Sequence, residues 1–219
     1  KDSELVMKNL FKCIDVKNFG ATFAEEGKNF SITGAVQFGQ GFNKYAESTP
    51  EEQQILSPFR DSTTEKKGKE EAKNSTLGSK IVSNEAHYFY PFTVNSSAYD
   101  EYKKLGLTNG YTEDDYTIFK ETSIKAATSY ATNAKMGCEN EFGLFVETDV
   151  NLYLPDLSQY IEFEKTQDKN IITITCSELI NDLKDKIKCV EIYINPYTTT
   201  LKSEIKGAKI YNIFTQKEV

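Results

Sequence analysis

Arginine is almost missing from this chain: of 26 basic residues only Arg60 is one, so any hold on phosphate rests on lysine point charges rather than bidentate guanidinium forks. Histidine is equally scarce. His87 is the sole one, and a Ser/His/Asp or Cys/His pair would depend on that ring. It lies in the aromatic run His87-Tyr88-Phe89-Tyr90, where a structural role is the simpler reading. The four cysteines, Cys13, Cys138, Cys176 and Cys189, are far apart, and none has a neighbour at the short spacing of a structural zinc site. They read as reduced thiols of a cytoplasmic protein. No apolar run approaches the roughly 20 residues that span a bilayer, and no basic segment followed by an apolar one opens the chain. Neither a membrane nor secretion is indicated. Gly39 and Gly41 lack the following Lys-Ser/Thr and the βαβ setting of a P-loop, which excludes that class of nucleotide hydrolase. No internal repeat is visible.

What is present is ordinary for a globular protein. Over 219 residues, 38% are hydrophobic, 27% charged and 12% aromatic, enough for a real core. The formal net charge of −7 runs against a simple nucleic-acid binder, although a local basic stripe can hide in an acidic total.

Periodicity divides the chain. Leu5, Val6, Leu10, Phe11 and Ile14 recur at helical spacing from Ser3 to Cys13, and Lys17-Asn18-Phe19-Gly20 predicts a glycine-rich loop after them. Asn29 to Phe38 alternates as a strand, with Gly34 marking a bulge or a close backbone approach. From Glu47 to Lys80 aliphatic residues thin out and Glu65 to Glu71 is nearly all charged, which predicts an exposed, mobile insertion. Ile81 to Val94 reads as a strand with Pro91 at an edge or bend. Thr112 followed by Glu113, Asp114 and Asp115 reads as a capped helix start, carried on through Tyr116, Phe119, Ile124, Ala127 and Tyr130. Strands at Phe142–Val150, Ile171–Thr175 and Val190–Ile194, with a helix at Ser177–Lys186, complete an α+β pattern.

The acidic clusters have simple tasks. Glu113 to Asp115 suit a helix dipole better than a metal, and Glu139 with Glu141 suit a solvated turn. No catalytic or metal-binding residue and no cofactor is assigned. The remaining candidates are glycine-rich loops flanked by amides, hydroxyls, lysines and aromatics, a surface able to hold a single-stranded nucleic acid by backbone contacts and stacking. They comprise Phe19, Gly20, Thr22, Gln37, Asn43, Lys44, Lys135 and Met136.

The segment CIDVKNFGATFA, Cys13 to Ala24, followed by SITGAVQF, Ser31 to Phe38, resembles the backbone subunit of type I CRISPR complexes, nearest the I-B and I-C branches. Those proteins carry an Asp-(Val/Ile)-Arg-x-Phe-Gly-like turn and then a Gly-Pro-Val-Gln-like strand. Two further blocks agree in order. Ser75-Thr76-Leu77-Gly78-Ser79-Lys80 leads into the tyrosine-rich strand, and Leu107 with Thr112 to Asp115 resembles the family's acidic helix start ahead of the Ala134-Lys135-Met136-Gly137 turn. Lys17 stands where the family has arginine, Ala35 where it has proline, and Asn43 near an expected serine.

The resemblance implies one RRM-like (ferredoxin-like) palm over residues 1–219, with 47–80 as a thumb or finger insertion and a first strand ahead of Lys1. It implies a non-catalytic subunit of a cytoplasmic antiviral Cascade complex, stacked head to tail along guide RNA, with target DNA chosen by base pairing. Phe19, Gly20, Thr22 and Gln37 would line the RNA channel, extended by Asn43 and Lys44, with Lys135 and Met136 opposite. Partners would be guide RNA, further copies of the chain, and the handle-binding, large and guide-processing endoribonuclease subunits. Two other classes stay open: a metal-dependent RNase as in type III complexes, tested at Asp15 and Asp61, and an acidic protein scaffold that binds no nucleic acid.

Overall fold

The computed structural model describes residues 3–25, 28–57, 76–129, 136–149 and 152–219. They fall into two compact units, Lys1–Gly41 with Phe89–Val219, and Phe42–Tyr88. The architecture is α+β, with small sheets and few helices, compatible with an RRM-like palm.

The first unit begins with helix α1, Ser3–Leu10, which has Glu4 in its first turn and Lys8 in its last, both matched to the helix dipole. The periodicity predicts a helix on to Cys13, but the helix stops earlier. Lys12 N–H and Cys13 N–H bond three residues back, to Asn9 and Leu10, tightening the last turn as Phe11 enters the core. Helix α2, Ile14–Phe19, buries Val16, Lys17 and Asn18. The predicted glycine-rich loop at Lys17 to Gly20 is instead the end of this helix, and Gly20 opens a hairpin. Strand β1, Gly20–Glu25, pairs antiparallel with β2, Lys28–Thr33, and the register partners Phe23 and Phe30 stack at 5.0 Å. The predicted strand from Asn29 to Phe38 is cut at Gly34 and Ala35, and its remainder is β3, Val36–Phe38.

The second unit holds β4, Phe42–Asn43, and the long antiparallel hairpin of β5, Pro50–Ser57, and β6, Thr76–Ser83, in register from Pro50↔Ser83 to Ser57↔Thr76. Sparse aliphatics in 47–80 thus accompany two exposed strands, with Ile55 and Ile81 on the surface. The charged run Glu65 to Glu71 lies outside the described residues. Asn43 Oδ1 accepts from Tyr45 N–H at 3.1 Å and His87 N–H at 2.9 Å. The His87 ring sits 2.9 Å from Glu85 Oε1 and edge-on to Tyr45. Strand β7, Tyr88–Phe89, ends this stretch.

Back in the first unit, Pro91 separates β7 from β8, Phe92–Val94, at the bend its sequence predicts, and the strand expected over Ile81 to Val94 is also interrupted between Ser83 and Tyr88. β8 pairs with β3, Val36↔Val94 to Phe38↔Phe92. Helix α3, Asp100–Lys104, precedes α4, Glu113–Ser129. Tyr130 lies outside the described residues. Strands β9, Phe142–Thr148, β10, Ile161–Lys165, and β11, Asn170–Ile174, are followed by α5, Ser177–Asp182, and by β12, Ile187–Ile194, β13, Thr199–Lys202, and β14, Lys209–Asn212. They form two three-stranded sheets, β14-β12-β9 and β10-β11-β13.

Three apolar clusters hold this unit. Ile161, Ile172, Ile174 and Ile192 anchor the largest one, Phe119, Phe145 and Tyr193 the second, and Phe11, Val16, Ile32, Ala35 and Tyr99 the third. Tyr99 is fully buried and its hydroxyl is satisfied: it donates to Lys17 O at 2.7 Å and accepts from Ala35 N–H at 3.1 Å. Thus one tyrosine ties the end of α2 to the start of β3.

The tightest point in the unit is a crossing of two glycines. Gly20 has φ 80° and ψ −176°, a region open almost only to glycine, and it turns the chain from α2 into β1. A Cβ on Gly34 would sit 2.6 Å from Gly20 N and still nearer Asn18 O and Phe19 C. Gly34→Ala must therefore push β3 off α2, costing about 1–3 kcal/mol. Gly78 has open space where its Cβ would go, so Gly78→Ala should shift stability by less than about 0.5 kcal/mol. Urea unfolding of the two variants checks this, and equal midpoints would contradict the crossing.

Candidate nucleic-acid interface

The crossing delivers Phe19 to the surface. Residues 16–18 are buried and Phe19, next in sequence, is 57% exposed. Its ring lies 6.4 Å from that of Phe38, itself half exposed, and 6.4 Å from Phe119, which is buried. Phe38 also meets Phe92 at 5.7 Å and Phe119 at 6.1 Å. Two exposed rings therefore stand on a buried aromatic base that holds them in place. Such a pair loses little side-chain entropy on binding and offers a flat face to a nucleobase. Sequence reasoning missed Phe38. The available signal was its alternation with Val36, which puts both side chains on one face of β3.

Gln37 points to the other face of β3 and is exposed, with Nε2 donating to Gly34 O at 2.9 Å. Its amide is thereby fixed beside the crossing. Gly20 is part of the crossing itself. Thr22 is exposed on β1, opposite Ser31. Met136 is 79% exposed, beside Gly137 on the connection from α4 to β9. Lys135 lies outside the described residues. Asn43 and Lys44 belong to the second unit. There the Asn43 oxygen is committed to two backbone N–H groups, and Lys44 N–H bonds His87 O at 2.9 Å.

Lys17, at the position of the family's arginine, is buried. Its Nζ donates to Asp115 Oδ2 at 2.7 Å and to Asn109 Oδ1 at 3.1 Å. Asp115 also closes a reciprocal cap at the start of α4. It accepts from Thr112 N–H and Oγ1–H, both at 2.8 Å, while its own N–H donates to Thr112 Oγ1 at 3.2 Å. The acidic helix start therefore goes beyond dipole complementation, since one carboxylate also neutralises a buried lysine. The Glu139–Glu141 pair is divided as well: Glu139 is exposed, whereas Glu141 Oε1 accepts from Asn170 Nδ2 at 2.8 Å. Among the described residues no group of three or more His, Cys, Asp or Glu side chains is arranged to hold a metal, and all four cysteines are free thiols. No helix among the described residues is long and apolar enough to cross a membrane.

An α+β unit with a supported aromatic pair beside a glycine-dependent turn describes a protein built to present a surface. The profile of the family described as CRISPR-associated protein Cas7 matches residues 1–184, and the chain belongs to that family. It is thus a crRNA-binding backbone subunit of CRISPR effector complexes. No curated protein matches the chain.

Burial alone would raise the Asp115 carboxyl, but the hydrogen bonds from Lys17 and Thr112 and the lysine charge outweigh it and hold the group below its ordinary value. A depressed carboxylate stabilises the fold above its unfolded value of about 3.9 and loses that contribution as pH falls through the folded value. Asp115→Asn breaks the pair and should cost about 3 kcal/mol near neutrality. In urea melts at stepped pH, that deficit should stay level from about pH 7 to 5 and shrink below about pH 4. A deficit unchanged at the acid end would show that the ion pair contributes nothing.

Proposed function

We propose that the chain coats CRISPR guide RNA as the repeated, non-catalytic backbone subunit of a cytoplasmic type I complex, Cascade, nearest the I-B and I-C branches. Copies stack head to tail, the RRM-like palm carries the RNA, and target DNA is selected by pairing to the guide rather than by protein contacts to bases. The observation that carries the reading is the exposed Phe19 ring, at the end of α2 in the family-like Asp-Val-Lys-Asn-Phe-Gly segment, propped against Phe38 and Phe119. Phe19, Phe38, Gly20, Thr22 and Gln37 line the RNA path, and Asn43, Lys44, Lys135 and Met136 are further RNA contacts. The insertion 47–80 is the thumb-like element reaching RNA or a neighbouring copy, and the other partners are the handle-binding, large and guide-processing subunits.

Two of the carboxylates have structural tasks: Asp115 neutralises Lys17, and Glu141 holds Asn170. Purified protein with a labelled guide-length RNA should bind at low salt and weaken steeply as salt rises, with a log–log slope of about −0.7 per phosphate contact. Phe19→Ala and Phe38→Ala should each weaken retention by about 1–3 kcal/mol with the fold intact. Labelled target RNA with magnesium should stay whole. Absence of RNA retention at low salt would contradict the proposal, and cleavage abolished by Asp15→Asn would replace it with the type III reading.

A further inference from the structure

The family-like turn places a basic residue two positions before the exposed ring, and the obvious task for a lysine in an RNA-binding turn is a phosphate contact. The geometry points elsewhere. Lys17 is 8% exposed and two of its three ammonium hydrogens are already engaged, by Asp115 and Asn109. Its own carbonyl takes the Tyr99 hydroxyl at 2.7 Å. Asn18 is fixed as well: Oδ1 accepts from the Tyr111 hydroxyl at 2.7 Å and Nδ2 donates to Ile14 O at 3.0 Å. The chain is thus clamped through residue 18 and released at Phe19.

One face of α4 makes the second half of the device. Asp115 and Phe119 are four residues apart, so they lie one above the other on the helix. Asp115 takes the Lys17 ammonium, and one turn on, Phe119 takes the Phe19 ring edge-on at 6.4 Å. Moving α2 relative to α4 would swing the exposed ring off its base.

We infer that Lys17 and Asp115 are positioning residues for RNA retention, an ion pair between α2 and α4 that sets the direction of the Phe19 ring without touching RNA. This rests on the RNA-binding reading above. Within it, the pair separates alignment from phosphate attraction: lysines elsewhere supply charge, and this one supplies geometry.

Asp115→Asn gives a test whose sign differs between the two roles. Removing a negative charge and freeing Lys17 should tighten RNA binding if the local effect is electrostatic. If the pair positions Phe19, binding weakens. For a labelled guide-length single-stranded RNA and the full chain, with folding verified by circular dichroism, Asp115→Asn should bind about ten-fold more weakly. Its salt slope should match wild type. Lys17→Met should behave likewise, and Lys17→Arg, which can still pair with Asp115, should restore binding. Should Lys17→Met fail to fold, the sign of the Asp115→Asn effect decides alone. Equal or tighter binding by Asp115→Asn would overturn the inference, as would a slope in Lys17→Met reduced by about 0.7, the mark of a lost phosphate contact. Wild-type protein that retains no RNA would instead remove the underlying reading, and the inference with it.

Discussion

The Lys17–Asp115 ion pair is the constraint on which the presented surface depends. A lysine ammonium within 2.7 Å of a carboxylate, both side chains about 10% exposed, holds because each has hydrogen-bond partners beyond the other, since unpaired burial of either charge is costly. Thr112 and Asn109 provide those partners. The pair then fixes α2 against α4, Tyr99 fixes α2 against β3, and the Gly20–Gly34 crossing leaves no room for the backbone to relax. A helix of six residues would not be stable by itself. It is held here by its buried polar residues, Lys17 and Asn18, together with Val16 in the third apolar cluster.

This arrangement bears on how an acidic protein holds a polyanion. With a net charge of −7 and one arginine, the chain has no large reservoir of bidentate phosphate contacts. Rigid aromatic faces and lysine charges at chosen places are a consistent alternative, because stacking does not depend on net charge. A backbone subunit has no need to read bases, so the absence of guanidinium forks is no handicap to it.

Much of the fold was legible where one period dominated. Helix α4 was read correctly from Thr112 onward because its cap chemistry and apolar spacing agree, and β9, β11 and β12 because β-branched and aromatic residues cluster there. Short elements failed for physical reasons. Strand β1 was missed because Gly20 suggests a turn, and only the register of Phe23 with Phe30 discloses its pairing with β2, which the alternation from Asn29 had marked. β13 and β14 were missed because four residues are too few to show a period, and β10, Ile161–Lys165, was missed although Ile161 and Phe163 alternate with glutamates. The exposure of Phe19 and the turn at Gly20 agree with the motif. The burial of Lys17 was not legible, because its partner Asp115 is 98 positions away and nothing local distinguishes a buried lysine from a solvated one.

The central claim is that the ring at position 19 meets RNA. The chain contains no tryptophan, so Phe19→Trp installs a single reporter at that point. On titration with guide-length RNA, emission from this residue should be quenched in step with binding measured independently by filter retention, as expected of an indole stacked on a base. Emission that stays constant while the RNA is fully bound would contradict the account.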